Sequence, residues 1–219
     1  MRTNAAFDVL NLADAGFPTG AHGHSGGLEY AIQAGWVNDG SSFAGWCRRA
    51  LNASVRTLDL RAAVKAWHGV PWADLNAEVA SFRTSRVQRE ASAQVGRSFL
   101  RSVATCYGDR AGGLPEAEGP DAVQFPVAWG VVFRKLELSV EAMAETLIFG
   151  ALRQWTQVAV RIVPLGQKEA FAAQTAVLAE LKASETGPEA VALPLEAGAF
   201  GLELAGLGME NLQRKYFRS

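Results

Sequence analysis

The stretch Leu12-Ala13-Asp14-Ala15-Gly16-Phe17-Pro18-Thr19-Gly20-Ala21-His22-Gly23-His24-Ser25-Gly26-Gly27-Leu28-Glu29 decides how this chain is read. It is the densest run of turn formers in the sequence, and it holds two of the three histidines. Helical patterning runs up to it and resumes after it, so it reads as a bend between helices. Its glycines admit positive φ or close backbone approach, and Pro18 blocks a helix from running through. Ser25 suits the N-cap of the following helix. Glu29 falls near that helix's first turn, where a carboxylate complements the dipole.

Outward from the bend, helical spacing dominates and no convincing strand alternation occurs. Phe7, Leu10 and Ala13 mark one face of a first helix over residues 5–14. Leu28, Ala31 and Ile32 begin a second, which stops at Gly35. Asn38-Asp39-Gly40-Ser41 reads as a turn and cap before Phe43, Trp46, Cys47, Ala50 and Leu51. Further helices are expected over 54–67, 72–82, 85–107 and 125–136, then one capped by Ser139 and apolar nearly all round to Ile162. Two more follow, over 168–184 and 196–214. Residues 108–120 are the clear loop, and 212–219 form a basic, aromatic tail. The expectation is a single all-α domain over 1–219, roughly ten helices in a bundle-like arrangement without internal repeats.

Composition narrows the function classes. A chain of 219 residues with 49 % hydrophobic content can bury a sizeable core. A net charge of −1 favours neither nucleic acid nor a membrane surface. No apolar run is long enough to span a bilayer. Asp8 and Asp14 interrupt any signal-like segment, so a cytoplasmic location is expected. Cys47 and Cys106 are far apart and read as plain buried thiols. There is no phosphate loop, dinucleotide fingerprint or paired-carboxylate motif, so the chain reads as a binding protein with no cofactor of its own rather than an enzyme.

Three features of the residues keep sharper readings open. Gly23-His24-Ser25-Gly26-Gly27 fits G-x-S-x-G and would make Ser25 a hydrolase nucleophile. That chemistry needs a strand before the serine and a later acid and histidine. Phe17 to His22 is no apolar strand, and His68 is the only later histidine. His22-x-His24 could form half of a metal site, since imidazole suits nickel, zinc or copper, with Asp14 and Glu29 the nearest further ligands. The competing reading is two polar residues in a turn. Arg161 ends an apolar helix, where a cation suits the dipole or where a guanidinium is offered to a partner's carboxylate or phosphate. Trp36 and Trp129 are candidates to line an interface.

Read together, Pro18-Thr19-Gly20 and His24-Ser25-Gly26-Gly27-Leu28-Glu29 closely resemble the N-terminal signature of the urease accessory protein F (UreF) family. Other segments agree in order: Ala34-Gly35-Trp36-Val37, Arg89-Glu90-Ala91-Ser92 with Gly96-Arg97-Ser98-Phe99-Leu100, Phe125-Pro126-Val127-Ala128-Trp129-Gly130, and Arg161-Ile162-Val163-Pro164-Leu165-Gly166-Gln167. The tail Tyr216-Phe217-Arg218-Ser219 is similar to the family's ending. The resemblance implies an all-α homodimer that is no stand-alone enzyme. It implies an adaptor that binds the urease accessory protein D (called H in some organisms) and the GTPase accessory protein G, docks on apo-urease, and takes part in metallocentre assembly by nickel insertion. Nickel and GTP would be handled by the complex. Glu29 and Arg161 match family positions implicated in contact with the GTPase; Arg161 stands where Lys is frequent. Arg214, Lys215, Tyr216, Phe217 and Arg218 match the segment that packs on the D/H partner, with Lys215 and Tyr216 departing from the family's Arg and Leu. Pro18, Gly20, Ser25, Gly26, Gly27, Pro164, Gly166 and Gln167 are the structural signature. Gln124-Phe125 replaces a histidine common in relatives, which argues against a metal role there.

Overall fold

The computed structural model describes residues 4–115, 122–163, 165–198, 200–213 and 215–218, without the side chain of His22. Pro164, Arg214, Ser219 and residues 116–120 of the expected loop lie outside the described residues. The described residues form helices and turns with no strand, so the chain is all-α.

Helix α1 (Ala5–Ala13) starts where the Asn4 side chain accepts from the Ala6 amide. Its inward face is not the expected one. Phe7 and Leu10 are 69 % and 64 % exposed, while Leu12 is buried and Val9 packs on the core. Polar partners choose the rotation: Asp8 pairs with Arg110 at 2.7 Å and Asn11 donates to the Tyr107 hydroxyl at 3.1 Å. After the bend, α2 (Leu28–Gln33) stops short of Gly35, whose φ is +76°. Helix α3 (Gly40–Ala50) opens with a capping box. Asp39 accepts from the Ser42 amide while the Ser42 hydroxyl accepts from the Asp39 amide.

The break expected near residue 52 does not occur. No glycine or proline lies between Trp46 and His68, so α3 continues through a π-wound segment, Leu51–Leu60, into α4 (Arg61–His68). Wider winding leaves carbonyls available to other segments. Ala53 and Thr57 carbonyls accept from the Gly198 and Glu196 amides at 3.0 and 3.1 Å, which ties the late linker to this rod. Helices α5 (Trp72–Phe82), α6 (Arg86–Tyr107), α7 (Phe125–Lys135) and α8 (Val140–Ile162) agree closely with their patterns. Ser85 and Ser139 cap α6 and α8 by accepting from Gln88 and Ala142 amides. Helices α9 (Gln167–Ala179) and α10 (Phe200–Gly208) are shorter than expected. Residues 194–198 lie outside α10 and bond to the π segment and to Arg61 at the start of α4.

Helix α7 lies between α4 and α6 in the core. A Cβ on Gly130 would run into the Ala63 carbonyl, and one on Gly96 into the Val123 carbonyl, so both crossings need glycine. Phe17, Phe99, Phe125, Trp129 and Phe133 form a ring cluster with centroids 4.8–5.8 Å apart. Each ring contributes about 1.5–3 kcal/mol by burial. Trp129 is therefore core rather than interface: it is 4 % exposed and its indole N–H donates to the Met143 carbonyl at 3.2 Å. Trp36 is exposed, edge-on to Tyr30. Cys47 is buried, which pushes its thiol up to about 12. Cys106 is exposed on the outward side of α6, contrary to the expected buried thiol. No described helix is long and apolar enough to cross a membrane.

Candidate functional site

The bend is a wedge between α8 and α10. Gly26 and Gly27 hold φ of +62° and +87°, which side-chain-bearing residues rarely adopt. A Cβ on Gly26 would stand 3.2 Å from the Trp155 indole nitrogen of α8, and one on Gly27 would stand 3.1 Å from Ala205 Cβ of α10. The Gln154 side chain donates to the carbonyls of His24 and Ala21, at 2.7 and 3.4 Å. Ser102 donates to the Pro18 carbonyl at 2.8 Å. Gly20 takes φ +73° at the start of the short 3-10 turn Ala21–Gly23.

Ser25 does not cap α2. The capping position falls on Gly27, which has no side chain, because the Gly26-Gly27 turn carries the chain two residues beyond the serine before the helix starts. Ser25 is fully buried, with its hydroxyl 3.9 Å from the Met209 sulfur. This is no nucleophile elbow: the preceding residues form a 3-10 turn instead of a strand, and His68 bonds the Thr186 carbonyl through Nε2, away from the bend.

Glu29 is the centre of the site, in an environment the sequence did not predict. It is 0 % exposed. Oε1 accepts from the Tyr216 amide at 2.7 Å and Oε2 from the Phe217 amide at 3.0 Å. The Gln33 side-chain amide adds a third donor at 3.2 Å. The next tail amide, Arg218, donates to the Gly23 carbonyl at 2.7 Å. Three consecutive tail amides thus dock on the bend, two on a carboxylate and one on a carbonyl. Hydrogen bonds to a buried carboxylate are among the strong ones, and they remove the cost of hiding the charge from water. Phe217 is buried by this docking, while Lys215, Tyr216 and Arg218 are exposed. Lys215 also donates to the Glu210 carbonyl at 3.4 Å.

His24 is buried beside the docked tail. Burial, and secondarily the Arg218 charge, hold its imidazole below the ordinary histidine range, so the neutral form is favoured. A cleft of about 270 Å³ opens alongside, with Asp14, Thr19, His24, Gly26 and Gln154 in its wall. The further ligands considered for His22 and His24 are engaged elsewhere. Asp14 accepts from the Gly16 amide at 2.6 Å, and Glu29 is taken up by the tail. Among the described residues no group of three or more metal-ligating side chains occurs.

A family model named UreF matches residues 37–181. The chain is 32 % identical over 167 residues to the urease accessory protein UreF of Arthrobacter sp. (strain FB24), covering 73 % of this chain and 72 % of that protein. It is 29 % identical over 236 residues to the urease accessory protein UreF of Pseudomonas aeruginosa (strain UCBPP-PA14), covering 99 % and 100 %. For the UreF of Bradyrhizobium sp. (strain BTAi1) the figures are 26 % over 227 residues, covering 98 % and 92 %. The chain belongs to the UreF family. The family model spans α3 to the end of α9 and stops short of both the bend and the tail. The match to the Pseudomonas UreF extends over nearly the whole chain.

In this UreF-family chain the two residues singled out for a partner stand in opposite situations. Arg161, in the last turn of α8, is exposed, and its guanidinium makes no hydrogen bond or ion pair among the described residues. Glu29 is enclosed. Gly166 precedes α9 as its N-cap, and Gln167 is its exposed first residue. Gln33 and Gln154, which fix Glu29 and the bend, carried no sequence signal: each reads as one more polar residue of an amphipathic helix.

Proposed function

We propose that this chain is the adaptor of a urease-maturation complex. It binds the accessory protein D (or H) and the GTPase accessory protein G, and with them docks on apo-urease for nickel delivery. The observation that carries this reading is membership of the UreF family over nearly the full chain. Nickel is cargo and GTP is a partner's substrate. The sequence agrees, having no phosphate loop. The adaptor works as a homodimer in the cytoplasm and has no catalytic step of its own. Arg161 is the residue offered to the GTPase. An exposed guanidinium that pairs with no described residue presents a planar fork of donors suited to a carboxylate or phosphate. The tail, with Lys215, Tyr216 and Arg218 exposed, is the surface offered to the D/H partner.

The test is reconstitution. The chain mixed at micromolar concentration with folded D/H protein and GTPase is expected to elute with both in one peak on gel filtration. Arg161→Ala is expected to keep the D/H partner and lose most of the GTPase. Failure of the unaltered chain to form the ternary complex overturns the adaptor reading. Normal GTPase recruitment by Arg161→Ala overturns the role given to that residue.

A further inference from the structure

We infer that the signature bend is a receptor for the chain's own C-terminal peptide, and that Glu29 is a positioning residue: it acts on GTPase capture by holding the tail that the D/H protein meets, rather than by touching the GTPase. This rests on the adaptor reading above.

The geometry carries the inference in three steps. First, a side chain with no exposed surface cannot be a direct contact while the tail is in place: Glu29 is 0 % exposed, and both its oxygens accept backbone amides. Second, the match is chemically selective. Successive backbone N–H groups that converge form a site for an anion, and here the anion is a side chain of the same molecule, 187 positions earlier in sequence. A carboxylate offers only acceptors. Glutamine of the same shape would turn its NH₂ towards one of the two amide donors, so two acceptor oxygens are needed. Third, the anchor has a consequence at the surface. With amides 216 and 217 on Glu29, amide 218 on the Gly23 carbonyl and the Phe217 ring buried, Tyr216 is turned outwards at 74 % exposure. Lys215 and Arg218 flank it on the outside. Glu29 thereby sets which tail side chains a partner meets.

The experiment uses the full chain, alone and in complex with the D/H protein and the GTPase. Four variants are compared: Glu29→Ala, Glu29→Gln, deletion of residues 216–219, and Glu29→Ala combined with that deletion. In the free chain, hydrogen exchange at the Tyr216 and Phe217 amides is expected to speed up about 10-fold or more in Glu29→Ala, with α7 amides unchanged. Glu29→Gln is expected to free one of the two amides more than the other. In the complex, Glu29→Ala and the deletion are expected to weaken D/H binding, and with it GTPase capture, by similar factors, and the double variant by no more than either. A merely structural glutamate would not show that equivalence. The inference is overturned if the two amides stay protected in Glu29→Ala, if the two losses multiply, or if the deletion recruits GTPase normally while Glu29→Ala does not. If Glu29→Ala does not fold, Glu29→Gln and the deletion decide by the same criteria. If the unaltered complex captures no GTPase, the adaptor reading fails, and the exchange measurement still judges the anchor.

Discussion

The α4–α7 crossing and the junction between bend and tail are both places where small residues let backbones close in, yet they are held by opposite physics. At the crossing, Gly130 lies on the Ala63 carbonyl beside Ala66, surrounded by apolar groups that have no alternative partner. At the junction, Gly27 admits α10, but the attachment itself is a buried carboxylate bonded to amides of the chain end. The crossing is rigid because any change leaves a void or a clash in a close-packed interior. The junction is a noncovalent contact of a terminus, and water or a partner's donors can replace each of its bonds. The difference separates the part of the molecule that makes it fold from the part that makes a docking surface.

That comparison can be broken or sharpened by four measurements. The largest effect is expected at the crossing. Gly130→Val forces side-chain atoms into the Ala63 backbone and should cost about 3 kcal/mol or more by denaturant unfolding. A loss below about 1 kcal/mol would show that the crossing yields as readily as the junction. Next, Glu29→Ala should cost about 1–3 kcal/mol, the range for leaving buried donors without a partner. The loss should be confined to the tail, so that deleting residues 216–219 in the same background adds little. A smaller effect is expected from pH at His24. Its folded pKa lies below the ordinary 6.5, so between the two values the unfolded chain binds a proton that the folded chain does not. Stability therefore rises with pH through that window and is unaffected by His24 above it. Denaturation at pH 5 and pH 8 should show this slope, reduced in Arg218→Ala because the Arg218 charge is the second cause of the shift. A slope of opposite sign would refute the buried, neutral imidazole. The smallest change is expected for Arg161→Ala, within about 0.5 kcal/mol by thermal unfolding, because the side chain is exposed and pairs with no described residue. A larger loss would mean that Arg161 serves the fold rather than a partner.

Much of the fold was legible because its signals are local. The Asn38–Ser41 turn and Ser139 announce α3 and α8, since a cap is a hydrogen bond to an amide two or three residues away. Pro126 marks the first turn of α7 for the same kind of reason. Local rules misled where distant groups compete. Phe7 and Leu10 look like the inner face of α1 until Arg110 and Tyr107 take hold of Asp8 and Asn11. The rod from α3 to α4 looked interrupted because apolar spacing drifts when the winding widens to π. Cys106 looked buried because periodicity alone does not say which flank of a long helix a neighbour will cover.

For the candidate site the division is sharper. The run from Leu12 to Glu29 by itself determined a bend: its glycines and proline exclude a continuous helix whatever surrounds them. The resemblance singled out Glu29 and Arg161, but sequence could not say that one would be enclosed and the other open. That was decided by residues 215–218, which set two amides on Glu29, while Arg161 stands exposed in the last turn of α8. The reason is physical: a cap is closed within one turn of chain, whereas this anchor pairs groups 187 positions apart and exists only once the intervening helices have packed.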